Sequence, residues 1–227
     1  MNSIAVIVPV LNESARLPAL LDDLAARDFA EIIVVDGGST DGGAGHRGPA
    51  HARVRWLSSE RGRARQMNAG AHAAGSELLL FLHADSRLPR SAVALLRAAV
   101  AAGARWGRFD VRIVPPAPLL WLVQTLMNRR SDLTGICTGD QGIFVRRDLF
   151  LDQRGYAEIP LMEDIELSRR LRRIARPWRI RTPLLTSARR WRQQGTWRTI
   201  ANMWRLRLLY WWGVPSEKLA RFYADVR

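Results

Sequence analysis

Cysteine and lysine are almost missing from this chain. Cys137 is its single cysteine, which excludes an intrachain disulfide and any multi-cysteine zinc site and fits a reducing, cytoplasmic setting. Of 35 basic residues all but Lys218 are arginine. Carboxylates are also scarce, 21 against those 35, and the formal net charge is +14. Such a surface attracts phosphates, nucleotides, nucleic acid or anionic lipid, without choosing among them. No apolar run approaches the roughly 18 residues of a membrane-spanning helix. No basic stretch precedes Ile4–Val8 as in a secretion signal. The expectation is a soluble protein, cytoplasmic or peripheral to the inner face of a membrane. Internal repeats and low-complexity linkers are absent too.

What remains is an ordinary globular composition, 227 residues with 48% hydrophobic, enough for one large or two small domains and too apolar for wholesale disorder. The N-terminal half alternates apolar runs with helical spacing. Ile4–Val8, Ile32–Val35, Val54–Leu57 and Leu78–Leu82 read as strands. Leu17, Leu20, Leu21 and Leu24, then Arg63–Ala74 and Ser91–Ala102, read as helices. This β-α-β-α rhythm implies a mostly parallel sheet flanked by helices. Further on, Phe109–Val114 and Ile143–Val145 are expected strands, and Leu119–Met127, Ile165–Ala175 and Trp197–Trp212 are expected helices. In the last of these, Trp197, Ile200, Trp204, Leu208, Trp211 and Trp212 form a stripe beside Arg198, Arg205 and Arg207. A stripe at helical spacing is more often core than membrane-facing, and core is the expectation.

Ligands of open α/β sheets sit beyond the carboxyl ends of the strands. Asn12 and Glu13 follow the first strand, Asp36 ends the second with Ser39, Thr40 and Asp41 behind it, and His83 and Asp85 end the fourth. Any one of these could merely cap a helix or turn; carboxylates on three successive strand ends point to a shared site. Arg61–Gln66 opens a helix whose N-terminus and guanidinium groups suit a diphosphate, with Arg65 the preferred candidate, although a solvated basic turn reads equally well. Gly43–Gly48 matches the Gly-x-Gly-x-x-Gly dinucleotide fingerprint by letter but lacks the strand before it and the helix after it. It is a chance match.

The strings VIVPVLNE, IIVVDGGSTDG, LLLFLHAD and MEDIELSRRLR, spanning Val6 to Arg172 in this order, resemble the family 2 glycosyltransferases, which have the GT-A fold. RGRARQMNAGA and TGDQGIFVRRDLF are similar to a small bacterial subgroup, the radical-SAM/selenodomain-associated, arsenosugar-type glycosyltransferases. The resemblance implies a glycosyltransferase domain over residues 1–190 and a C-terminal helical extension over 191–227, packed on it or continuous with it. It implies transfer of a sugar from a nucleotide-sugar donor, UDP-linked or similar, to an acceptor the sequence does not identify, with inversion.

Roles follow from the same likeness. Pro9, Asn12 and Glu13 would line the nucleoside, Asp36 would accept a hydrogen bond from the base, and Asp41 would shape that loop. The family places Asp-x-Asp where this chain has His83-Ala84-Asp85, so the first carboxylate is lacking. Asp85 would hold Mg²⁺ or Mn²⁺ with substrate phosphates and water, whereas His83 is either a weaker metal ligand or a satisfied strand-end histidine. Glu163 and Asp164 match the acidic pair that supplies the general base, assigned to Asp164; a pair favoured by the helix dipole is the alternative. Gly139, Asp140 and Gln141 would floor the acceptor side, or form a plain turn. Arg190 and Trp191 resemble an Arg-Trp element beside the diphosphate or acceptor. Two readings compete. A nucleotidyltransferase would need a glycine-rich basic loop after the first strand, where Pro9–Glu13 has neither glycine nor lysine. A binding module would use the arginines for nucleic acid or the Trp/Arg helix for an anionic membrane, yet no nucleic-acid motif accompanies the charge.

Overall fold

A computed structural model describes residues 3–42, 53–189 and 195–224. The first strand sets the frame. β1 (Ile4–Val10) is buried on both sides: Ile4, Val6, Val8 and Val10 join one apolar cluster, and Ala5 and Ile7 join another. A strand covered on both faces reads as a continuous apolar run, not as an alternation. β1 lies between β2 (Glu31–Asp36) and β4 (Leu78–Phe81), parallel to both, and β3 (Val54–Ser58) extends the parallel set beyond β2. The eight-stranded order is β3-β2-β1-β4-β7-β6-β8-β5, completed by β5 (Ser86–Arg87), β6 (Trp106–Val114), β7 (Phe144–Arg146) and β8 (Trp178–Ser187). β7 runs antiparallel to both its neighbours, and β6 and β8 are again parallel. The sheet is mixed but mostly parallel, as expected.

Helices cover both faces. α1 (Leu17–Ala25) buries Leu17, Leu20, Leu21 and Leu24 on one side, joined there by α3 (Ala92–Ala101). On the other side lie α2 (Arg63–Ala73), with Ala64, Met67 and Ala71, and α6 (Glu163–Leu171), with Leu167 and Leu171. α2 sits very close to the sheet, because a Cβ added to Gly70 would lie 2.5 Å from Ile7 Cγ2 and 3.1 Å from Val35 Cγ2. Both neighbours are β-branched side chains on central strands with little freedom to turn away. Gly70→Ala should therefore lose about 1–3 kcal/mol to overpacking, only partly offset by the roughly 0.5–1 kcal/mol gained in helix propensity. Denaturant melts of the two proteins measure the net loss; an alanine variant as stable as the wild type would contradict the tight contact.

Several elements differ from the sequence expectation. β6 begins three residues before Phe109, and α4 (Pro118–Thr134) runs well past Met127, to a left-handed cap at Gly135. α6 starts at Glu163, so the acidic pair lies inside its first turn. β8 is unexpected. Its arginines and Pro183 hide the strand, and its register against β6 is irregular between Phe109 and Val111, where Arg181, Thr182 and Pro183 stand outside the ladder; proline cannot donate to a ladder and is tolerated at such a break. The short α5 (Arg147–Asp152) and the final α8 (Ser216–Ala224) are also additional.

The largest correction concerns α7 (Thr196–Trp211). Its tryptophan stripe is not core: Trp197, Trp204 and Trp211 are 72%, 59% and 69% exposed. The face turned inward runs instead through Ile200, Met203, Leu206 and Tyr210, which pack on clusters built from α4, α6 and α8. The helix is apolar on more than one side, and its periodicity could not say which side meets the body. No helix among the described residues is long and apolar enough to cross a membrane.

Candidate active site

Because β1, β2 and β4 run parallel, their carboxyl ends deliver Asn12, Asp36 and His83–Asp85 to one edge of the sheet. Where β1 and β2 part, Gln66 of α2 fills the gap, its buried Nε2 donating to the Val10 carbonyl at 2.6 Å and the Val35 carbonyl at 2.8 Å. Gly37 makes room for that amide, since a Cβ there would lie 2.9 Å from Gln66 Cδ. The two loops beyond are laced together. Asn12, at φ +57°, donates its backbone N–H to Ser39 Oγ at 2.9 Å and accepts the Thr40 N–H on Oδ1 at 2.8 Å. The Ser14 N–H reaches Asp41 Oδ2 at 2.8 Å. Ser39 donates from both N–H and Oγ to Asp36 Oδ1, at 3.0 and 2.6 Å. Asn12 and Asp41 are thus loop staples, and Asp36 Oδ2 accepts no hydrogen bond among the described residues. Pro9 sits in the β1 ladder opposite Val35.

Beside this rim the 3₁₀ turn Gly139–Gln141 meets the start of α6. Thr138 and Gln141 form a reciprocal capping box. Gln141 is fully buried, with Oε1 accepting from Ser131 Oγ at 2.8 Å and the Thr138 N–H at 3.1 Å. Its side chain is consumed inside the protein, so it cannot present a group to an acceptor, as the sequence reading had suggested. The turn instead aims the Gly139 N–H at Asp164 Oδ2, 2.9 Å away, while Asp164 Oδ1 accepts the Ile165 N–H at 2.7 Å. A Cβ on Gly139 would come within 2.7 Å of His83 Nε2, and His83 Nδ1 lies 3.3 Å from Asp140 Oδ1. Both imidazole nitrogens therefore face this turn. This placement is compatible with the satisfied-histidine alternative; Asp85 lies in the turn just after β4.

The carboxylates interact in two groups, Asp85 with Asp140 and Glu13, and Glu163 with Asp164. Burial by the surrounding protein raises the pKa of Asp85 above the ordinary carboxylate value; nearby His83 opposes the rise, and the charges of Asp140 and Glu13 reinforce it. Glu13 itself pairs with Arg16 at 2.7 Å. Glu163 is buried, and burial followed by the adjacent Asp164 charge pushes its pKa up, against the attraction of Arg63, 3.6 Å away. One cleft is lined by Arg63, His83, Gly139, Asp140, Glu163 and Asp164, closed on its far side by Met203, Leu206 and Arg207 of α7. It continues past Arg63 and Glu163 into a trough along Leu11, Arg61, Gly62, Arg65 and Gln66.

Arg65 is held by exposed Glu60 and by Glu158, the latter at 3.2 Å. Arg63, which lines both clefts, is the better placed of the two. Burial pushes the Cys137 thiol up to about 12, so the only thiol is inert as a nucleophile at neutral pH. Sequence reasoning named Arg63 and Gln66 only within the Arg61–Gln66 segment, preferring Arg65, and missed Arg207 and the bracing role of Gln66. The close spacing of Gly37 and Gln66 across two elements left no linear signal, and Arg207 looked like one more flanking charge on α7. Arg190, Trp191 and the segment 43–48 lie outside the described residues.

The model for "Glycosyl transferase family 2" matches residues 5–150. No curated protein sequence matches the chain significantly. Among solved structures, S. aureus TarS 1-349 superposes with a TM-score of 0.65 at 18% identity, over 83% of this chain and 61% of that one; its complex with UDP-GlcNAc gives 0.64, 18%, 82% and 58%. Mannosyltransferase PcManGT from Pyrobaculum calidifontis, in complex with GDP-Man and Mn²⁺, gives 0.61 at 23% identity, over 90% of this chain and 64% of that one. The chain thus spans about three fifths of these proteins' length, and at such identities the likeness establishes the GT-A fold. With more than half of its residues matched by the family model, the chain belongs to glycosyl transferase family 2.

Proposed function

We propose that this protein transfers a sugar from a nucleotide-sugar donor, with inversion at the anomeric carbon. The observation that carries the reading is the single cleft in which Asp164, oriented by the Gly139 N–H, opens toward the basic trough at the start of α2. The nucleoside would lie on the laced rim, with its base donating to the unengaged oxygen of Asp36. The diphosphate would lie toward Arg63 and the α2 N-terminus, where backbone N–H groups and guanidinium charge favour an anion. In the reaction the acceptor hydroxyl oxygen bonds to the anomeric carbon as the anomeric C–O bond breaks. The leaving electron pair goes with the nucleoside diphosphate, and the hydroxyl proton goes to Asp164.

Solved relatives of this fold that hold UDP-GlcNAc, or GDP-Man with Mn²⁺, support the donor class and a divalent cation. Among the described residues no group of three or more His, Cys, Asp or Glu side chains is gathered that would hold a metal unaided. Asp85 nevertheless fits a hard cation of the Mg²⁺ type, which commonly takes one or two carboxylates and completes its shell with substrate phosphate and water. Burial, reinforced by the charges of Asp140 and Glu13, disfavours the bare Asp85 carboxylate, and a cation would relieve that. When bound, the cation would neutralise charge on the leaving diphosphate.

Thermal melts with UDP- and GDP-linked sugars, each with and without Mn²⁺, test the proposal. A donor at a hundred times its Kd adds about 2.7 kcal/mol, roughly 5–10 °C for a chain of this size. Stabilisation by no member of the panel would overturn it.

A further inference from the structure

The cleft has a second exit, and its character is different. Between α4 and α7 runs a groove lined by Leu122, Val123, Leu126, Trp197, Ile200 and Trp204, which meets the catalytic cleft at Met203 and Arg207. Its walls are apolar yet open to solvent: Leu122 and Leu126 are 45% and 49% exposed, and Trp197 and Trp204 more so. At the inner end stand two arginines, Arg130 and Arg207. Neither has a carboxylate within salt-bridge distance among the described residues. Arg207 makes no hydrogen bond there either, and Arg130 Nε is buried without a hydrogen-bond partner. Surrounding protein, then the neighbouring Arg207 charge, lowers Arg130 to about 10, and burial likewise lowers Arg207. Two cations crowded together in a half-dry site are complementary to an anion, and an aliphatic trough leading away from them is complementary to a chain attached to that anion.

Resting on the transferase reading above, we propose that the α4–α7 groove is the acceptor site, and that the acceptor is an anionic lipid: its aliphatic chain lies along Leu122, Leu126 and Trp204, its negatively charged head rests on Arg130 and Arg207, and a head hydroxyl reaches Asp164. Asp164 and Asp140 both act electrostatically on Arg207, which puts the headgroup end of the groove beside the base. Trp121 of α4, and Trp211 and Trp212 at the end of α7, are exposed as well, and Arg198 and Arg205 lie on α7. Aromatic rings interleaved with arginine suit a bilayer interface, from which such a lipid would be drawn. A second copy of the chain is a poorer occupant, because each carries a net charge of +14.

Calorimetric titration with inorganic phosphate, butyl phosphate and octyl phosphate, kept below micelle concentrations, tests this on the 227-residue chain. Each buried methylene strengthens binding about fourfold, so octyl phosphate should bind on the order of a hundredfold more tightly than butyl phosphate. Leu126→Asp, at a half-exposed position, should flatten that chain-length dependence while leaving the melt in buffer and the donor-induced shift unchanged. Arg207→Gln should keep the chain-length dependence but lose roughly tenfold or more of the preference for octyl phosphate over neutral octyl glucoside. Equal affinity for inorganic and octyl phosphate would overturn the proposal, as would a chain-length dependence indifferent to Leu126→Asp. A wild-type dimer in sedimentation velocity that Leu126→Asp dissociates would assign the groove to a second copy and overturn it as well. The donor melts separate the two readings: no shift with any nucleotide sugar, alongside chain-dependent binding, would end the transferase reading and the acceptor assignment with it, leaving only a lipid site.

Discussion

Asp164→Asn should leave the protein folded and still stabilised by its donor, while kcat falls by about 10²–10⁴-fold, the usual worth of a positioned general base. Asparagine has the shape of aspartate, and its single amide oxygen can still accept the Gly139 N–H that holds the carboxylate at 2.9 Å, giving up only the bond from its neighbour Ile165. What the substitution removes is basicity. Single-turnover rates and donor melts on the same samples give the split. Wild-type kcat would strip Asp164 of the role, and loss of the donor shift would turn it into a binding residue. The adjacent carboxylate is the internal control. Glu163 is buried against Arg63, and burial with the Asp164 charge raises its pKa above the ordinary glutamate value. A folded state that holds a proton more tightly than the unfolded chain is most favoured at pH below the unfolded pKa, and it loses that advantage as pH rises through the folded pKa. Glu163→Gln lacks the titration, so its stability relative to wild type should climb over that window. Its kcat should fall less than that of Asp164→Asn.

The first six elements were legible because each obeys one simple period. β1 and β2 are runs of β-branched residues, α1 repeats leucine at helical spacing, and the glycines after β2 and α2 punctuate them. Carboxylates at three strand ends could be assigned to one edge because parallel strands must share it. Legibility failed where tertiary context decides. β8 is a strand because it completes the sheet beside β6, although its own sequence, with Pro183 and alternating arginines, argues for a loop. Gln141 and Asp140 are neighbours of similar polarity, yet the capping box turns one inward to Ser131 and leaves the other facing His83. α7 offered two apolar faces, and the body took the aliphatic one, leaving the indoles outside. The same choice sets Arg207 at the junction of two clefts, a position that no spacing rule announces.

Asp85→Ala should cost turnover on a similar scale by a different route. Neutralising a leaving diphosphate is worth several kcal/mol, and at 1.36 kcal/mol per decade the loss of the carboxylate should lower kcat/KM by about 10³-fold. The donor melts identify the cause. In the wild type, Mn²⁺ should enlarge the shift produced by the nucleotide sugar; in Asp85→Ala the shifts with and without Mn²⁺ should coincide. Binding through the nucleoside, which depends on Asp36 and the laced β1 and β2 loops, should persist. The variant should fold normally: Asp85 lies in the turn between β4 and β5, where burial of the carboxylate, reinforced by the charges of Asp140 and Glu13, disfavours the charged form that alanine removes. His83→Ala discriminates between the two candidates that the sequence left in competition. If the imidazole, both of whose nitrogens are turned to the Gly139–Asp140 turn, serves packing and pairing, its removal should leave the Mn²⁺ dependence intact. Loss of that dependence in His83→Ala, with its retention in Asp85→Ala, would transfer the metal from the carboxylate to the imidazole.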